Sequence, residues 1–181
     1  ALSSKKQCGN LTLVELPMSS ANEAPGGPFG VVILGLNGLL HATNPSEQRQ
    51  ILAAARSALR PGGQLLLDVV NPATPLFHGL DQQVLHEGRW TDNRGNKIDK
   101  FSSRVVSPAE QLIDVSLWYD ITDADGVLRR VRTGFTQRYV QRAELELMLE
   151  LAGFESWTLH GGYELEPFDD GSDRIVVAAV T

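Results

Sequence analysis

The sequence predicts an α/β protein carrying an inserted antiparallel β meander, and three observations point there. The stretch "RPGGQLLLDVVNP", 60–72, is a strand without polar alternation, interrupted only by Asp68. Strands apolar on both faces belong inside sheets covered on both sides, usually parallel ones. A strand-like run and a well-signalled helix precede it, and from about residue 82 to 140 the pattern switches to the period-two alternation of half-exposed strands.

Taken in order, "LTLVE" at 11–15 is a short β-type run stopped by Pro17, and 19–28 is a loop by its Gly, Pro, Ser and Asn content. "FGVVILGL", 29–36, is a buried strand whose end, marked by Gly35 and Gly38, turns sharply. A helix follows: Asn44 is its N-cap, Pro45 its first residue and Glu47 completes a capping box. Ile51, Leu52, Ala55, Ala58 and Leu59 share one face, so the helix lays a single apolar stripe on a sheet. Pro61 and the Gly62-Gly63 pair end it and lead into the strand 64–70, completing a βαβ unit with parallel strands.

Four β-type runs come next, 82–90, 97–106, 111–121 and 127–140, separated by Asp/Asn/Gly turns at 92–96 and 123–126. The third is the clearest, with Ile113, Val115, Leu117, Tyr119 and Ile121 alternating with polar residues and Trp118. Residues 142–152 are helical, with Leu145, Met148, Leu149 and Ala152 on one face and Gly153 as left-handed C-cap. The strands 156–163 and 174–180 close the chain. Only ten residues separate them, too few for a helical crossover, so they are antiparallel.

Composition narrows the function classes. The 42% hydrophobic and 21% charged fractions are those of a globular protein, and the 181 residues read as one domain, 1–181, with an inserted subdomain at about 80–140. The net charge of −6 argues against a nucleic-acid footprint, and no apolar run is long enough for a membrane span. Cys8 is the single cysteine and cannot form an internal disulfide, which with the absence of a signal-like start predicts a cytoplasmic protein. His78, His86 and His160 are far apart and offer no metal-ligand spacing, so no metal is expected. No Gly-x-Ser-x-Gly elbow is present for a serine hydrolase.

The segments "FGVVILGLNGLLHA" (29–42), "LRPGGQLLLDVVNP" (59–72), "ELMLELAGF" (146–154) and "GGYELEPFDDGSDRIVVAA" (161–179), in this order and spacing, resemble class I S-adenosylmethionine-dependent methyltransferases of the small-molecule type with a β insertion after the fifth strand. The resemblance implies an incomplete Rossmann-like sheet: 11–15 as the third strand, 29–36 the fourth, 64–70 the fifth, 156–163 the sixth and 174–180 the seventh. The first and second strands have no counterpart, and neither does the glycine-rich cofactor loop, since Gly-x-Gly-x-x-Gly occurs nowhere in the sequence. "VELPM" (14–18) stands where relatives carry Gly-Asp before the methionine. Without central strands the apolar edge of 29–36 is exposed, a liability that leaves three outcomes: the chain is a fragment of a longer one, two copies pair edges or exchange strands, or 11–15 moves directly beside 29–36.

By that resemblance S-adenosylmethionine is the cofactor of the complete protein, with Pro17, Met18, Gly35, Leu36 and Asn37 at the cofactor; this chain alone is expected not to bind it. Tyr119, Tyr139, Tyr163 and Arg174 would contact a small-molecule substrate, with Tyr119 and Tyr139 having an alternative role as half-buried residues of the meander sheet. His41 is the candidate base, because imidazole exchanges protons near neutrality. Asn37 has an alternative role in its own turn, and Tyr163, Asp173 and Arg174 one as a loop clamp. The rival reading is a non-catalytic module derived from a methyltransferase, pairing through its open sheet edge.

Overall fold

The computed structural model describes residues 11–181; Cys8 lies outside them. β1 (Phe29–Leu34) leads through a turn and a 3-10 helix (Gly38–His41) into α1 (Pro45–Ala58), whose cap forms as expected: Asn44 Oδ1 accepts the Glu47 N–H at 2.9 Å. β2 (Leu59–Val70) starts directly at the end of α1, and a short helix α2 (Pro75–Gly79), not anticipated from the sequence, leads to the meander. The meander comprises β3 (Val84–Thr91), β4 (Lys97–Ser107), β5 (Leu112–Thr122) and β6 (Leu128–Arg138), followed by α3 (Arg142–Ala152), β7 (Ser156–His160) and β8 (Arg174–Val180).

The strands form two sheets. The first has the order β1-β2-β8-β7, with β1 and β2 parallel and β8 antiparallel to both neighbours; the second is the meander in sequential order. Leu65, Leu67 and Val69 of β2 with Ile175, Val177 and Ala179 of β8 meet the stripes of α1 and α3 in one buried core. Strand alternation therefore sends the even-numbered residues of β2 to the opposite face. The expectation of cover on both sides is corrected there: the described helices α1 and α3 share one face, and on the other Ile33 is 72% exposed, with Val31 and Leu66 also open.

The expected strand at 11–15 is corrected too. These residues form no ladder, and Leu13 is 84% exposed. A β-type sequence becomes a strand only when its backbone groups find a partner, and in the order implied by the resemblance the neighbour of this segment is one of the strands the sequence lacks. Pro17 then starts a 3-10 helix (Met18–Glu23) that packs on α1.

A buried network fixes the meander to the frame. Arg138, at the end of β6, donates to Gln48 Oε1 of α1 at 2.7 Å, to Gln111 Oε1 at 2.8 Å and to Glu144 Oε1 of α3 at 2.7 Å. Gln48 returns a bond to the Arg138 carbonyl at 2.9 Å. Removing a guanidinium that satisfies three acceptors leaves them desolvated and unpaired. Arg138→Met is therefore expected to lower the stability of the chain by about 2–3 kcal/mol, read as a shift in the urea midpoint; an unchanged midpoint would show that the network contributes nothing.

Candidate functional site

In open α/β sheets ligands collect beyond the carboxyl ends of the parallel strands. β1 ends there in Gly35-Leu36-Asn37, where Leu36 (φ 56°) and Asn37 (φ 60°) are both left-handed. That conformation costs an L-residue such as Leu roughly 1–2 kcal/mol, so the surroundings must hold it. They do so from β2: the Leu36 N–H donates to Asp68 Oδ1 at 2.6 Å, and Asn37 Oδ1 accepts the Val70 N–H at 2.8 Å.

Asp68 is 5% exposed and serves a second element with its other oxygen. Oδ2 accepts from Arg174 Nη1 at the start of β8 and from the Tyr163 hydroxyl at 3.1 Å. The Arg174 guanidinium also lies over the Tyr163 ring, 5.5 Å from its centroid. Asn71, just past β2, donates to the Ser172 carbonyl at 2.8 Å, and its N–H bonds the Asp173 carbonyl at 2.9 Å. One buried carboxylate thus ties the β1 turn to the 161–173 loop. Between them lies a cavity of about 260 Å³ walled by Ile33, Gly35, Leu66, Asp68, Tyr163 and Leu165.

His41 ends the 3-10 helix that follows the turn, on which Leu39 and Leu40 are fully buried and fix its position. Its ring is exposed and faces the meander, 5.2 Å from the Phe135 ring, with Nε2 at 3.3 Å from Gln137 Nε2. The structure therefore brings Gly35, Leu36, Asn37, Tyr163 and Arg174 together and sets His41 beside the meander. Tyr139 was expected on the substrate wall; it is 3% exposed and packs edge-on against Phe77 in the joint between meander and frame. Tyr119 lies on β5 with its ring against Trp90. Pro17 and Met18 sit at the start of the 3-10 helix on α1.

Sequence reasoning passed over Asp68 as an interruption. The signal was available: a lone carboxylate in an otherwise buried apolar strand must find donors. Asn37 joins neighbouring strands rather than only its own turn, and Tyr163 with Arg174 clamps onto Asp68, whereas Asp173 takes part only through its backbone carbonyl, which accepts the Asn71 N–H.

Burial pushes the Tyr163 phenol above its ordinary value, helped by its bond to Asp68, and burial alone pushes Tyr139 up. A phenol held neutral by the fold contributes stability that is fully present below its unfolded pKa near 10 and is lost as pH rises through the folded value. Alkaline titration followed by phenolate absorbance is thus expected to show high components for Tyr139 and Tyr163, one of them removed by Tyr163→Phe. Three ordinary titrations would contradict the placement.

Both Asp68 oxygens are engaged, Leu16 and Pro17 provide no side-chain acceptor, and no glycine-rich loop occurs in the sequence, so these residues do not by themselves make up a site for S-adenosylmethionine.

No family model matches the chain, and no curated protein matches it. Solved structures do. The chain is similar to the CcbJ methyltransferase from Streptomyces caelestis, with 23% identity, a TM-score of 0.65, and coverage of 87% of this chain and 64% of that one. It is also similar to S-adenosylmethionine-bound CalS10, an amino pentose methyltransferase from Micromonospora echinaspora, at 19% identity and a TM-score of 0.69, covering 91% and 63%. The sugar N-methyltransferase KedS8 from Streptoalloteichus matches at 18% identity and a TM-score of 0.71, covering 91% and 60%. The chain spans less than two thirds of the length of these three structures. Its fold, a sheet ending in an antiparallel strand with an inserted meander, is the class I S-adenosylmethionine-dependent methyltransferase fold over part of that fold's length.

Proposed function

We propose that this chain is the acceptor-side part of an S-adenosylmethionine-dependent methyltransferase acting on a small molecule. The observation that carries the reading is the Asp68 clamp: a left-handed turn at the carboxyl end of β1, held under a loop from the other side of the sheet. A turn stabilised in a costly conformation at a ligand-binding sheet edge is characteristic of a positioned site. When bound, S-adenosylmethionine supplies an electrophilic methyl group. In the complete protein the backbone of Gly35, Leu36 and Asn37 would line the donor, and Tyr163 and Arg174 would close the site beside it. His41, between the turn and the meander, takes a proton where the acceptor arrives protonated.

Two of the similar structures are a sugar N-methyltransferase and an amino pentose methyltransferase, which supports a small acceptor. Among the described residues no helix is long and apolar enough to cross a membrane.

A second reading is favoured by one observation. Among the described residues β1 pairs with β2 alone, which leaves its other edge open to a partner strand from a second copy, and Val31 and Ile33 are exposed on its face. In that case the chain works as a pairing module without catalysis.

Calorimetry with S-adenosylmethionine separates the two. The 181-residue chain is expected to give no binding heat, and a longer product that adds a strand and a glycine-rich loop ahead of residue 11 is expected to bind. Failure of the longer product to bind overturns the methyltransferase reading; tight binding by the 181-residue chain overturns the claim that it holds only part of the site.

A further inference from the structure

His41 and the meander strand it faces are locked to each other through one buried amide. Gln48 of α1, fully buried, donates to the Leu39 carbonyl of the 3-10 helix at 3.4 Å and to the Arg138 carbonyl of β6 at 2.9 Å, while its oxygen accepts from the Arg138 guanidinium. A buried amide with both ends engaged is not free to turn. The helix that carries His41 and the strand end that carries Phe135 and Gln137 therefore keep one spacing. Phe135 and Gln137 are two apart on β6 and so share a face, and both meet the imidazole. Phe135 stands 5.2 Å from the ring with the planes inclined by 50°, and the Gln137 amide nitrogen lies 3.3 Å from His41 Nε2.

A neutral imidazole holds one proton between two nitrogens, and the hydrogen bond made at one nitrogen decides which of them carries it. An amide N–H aimed at Nε2 requires a lone pair there, so the ring proton resides on Nδ1. The free side chain prefers the reverse arrangement, with the proton on Nε2. Among the described residues Gln137 is the one hydrogen-bonding partner of the ring, so the choice falls to it. A primary amide also suits both charge states of the imidazole. It donates to the neutral ring through its nitrogen and, turned over, accepts from the protonated ring through its oxygen.

We infer that Gln137 is the positioning residue of His41: its amide keeps the ring proton on Nδ1 and so makes Nε2 the nitrogen that takes the acceptor's proton. In that step the acceptor's proton bonds to the Nε2 lone pair, the electrons of the broken bond stay on the acceptor, and the Gln137 oxygen accepts from the imidazolium. The catalytic use rests on the methyl-transfer reading, whereas the choice of tautomer rests on the Gln137 contact alone.

The test is nuclear magnetic resonance of the imidazole nitrogens in the 181-residue chain, without S-adenosylmethionine, at a pH above the ordinary imidazole range. The His41 signals are identified by their loss in His41→Phe. Nδ1–H is expected as the main form of His41 in the wild-type chain. Gln137→Leu removes the donor and Gln137→Glu offers only acceptors, so in each the ratio of Nδ1–H to Nε2–H is expected to fall about tenfold. A merely structural Gln137 would leave that ratio where it is. Two variants are used so that one that fails to fold leaves the other decisive. Nε2–H as the main form in the wild type, or an unchanged ratio in either folded variant, overturns the inference. Because the cofactor is left out, such a result leaves the methyl-transfer reading to its own calorimetric test.

Discussion

A single buried carboxylate organises the carboxyl edge of the first sheet. Asp68 sits in the middle of a strand whose neighbours are Leu65, Leu66, Leu67, Val69 and Val70, where an unpaired charge would be costly. Its four lone-pair positions are used in two directions: Oδ1 toward the Leu36 amide, Oδ2 toward Arg174 and Tyr163. The same contacts that make the charge tolerable oblige Leu36 to stay left-handed and fix the 161–173 loop beside it. Stability and site geometry therefore share one cause, and neither can change alone.

A second polar network does for the meander what Asp68 does for the turn. Arg138 bridges β6, α1 and α3, so the meander is held at a set position relative to the 3-10 helix that carries His41. The contact between His41 and Phe135 is where the two positioned parts meet. The open face of the first sheet is the opposite case: Ile33 and Val31 project from it, while α1 and α3 cover only the other side. Apolar area left open on a sheet is what a further layer of structure covers in α/β folds.

Much of the fold was legible because its signals are local. The Asn44 cap, the Gly153 C-cap, the strict alternation of 111–121 and the ten-residue gap before β8 each have a short-range physical cause, and each element formed within a few residues of its expected limits. The segment 11–15 was misread because strand formation is not local: its propensity is real, but its backbone has no ladder to join. Two-sided cover of β2 failed as an expectation for a related reason. Apolar residues on both faces state a requirement, and the sequence does not say what meets it. Of the site, the turn was visible in Gly35 and Gly38, whereas the role of Asp68 depends on partners 32, 95 and 106 residues away, and Tyr139 looks like any other strand tyrosine until its packing on Phe77 is seen.

Amide hydrogen exchange reads the Asp68 clamp directly. In the wild-type chain the Leu36 amide should be protected although it lies in an exposed turn. In Asp68→Ala its exchange should accelerate about ten- to a hundredfold, the loss expected for one hydrogen bond to a charged acceptor, with loosening of the 161–173 amides in parallel. A Leu36 amide that exchanges at the same rate in both proteins would show that the carboxylate does not hold the turn, and the site built on it would have to be abandoned.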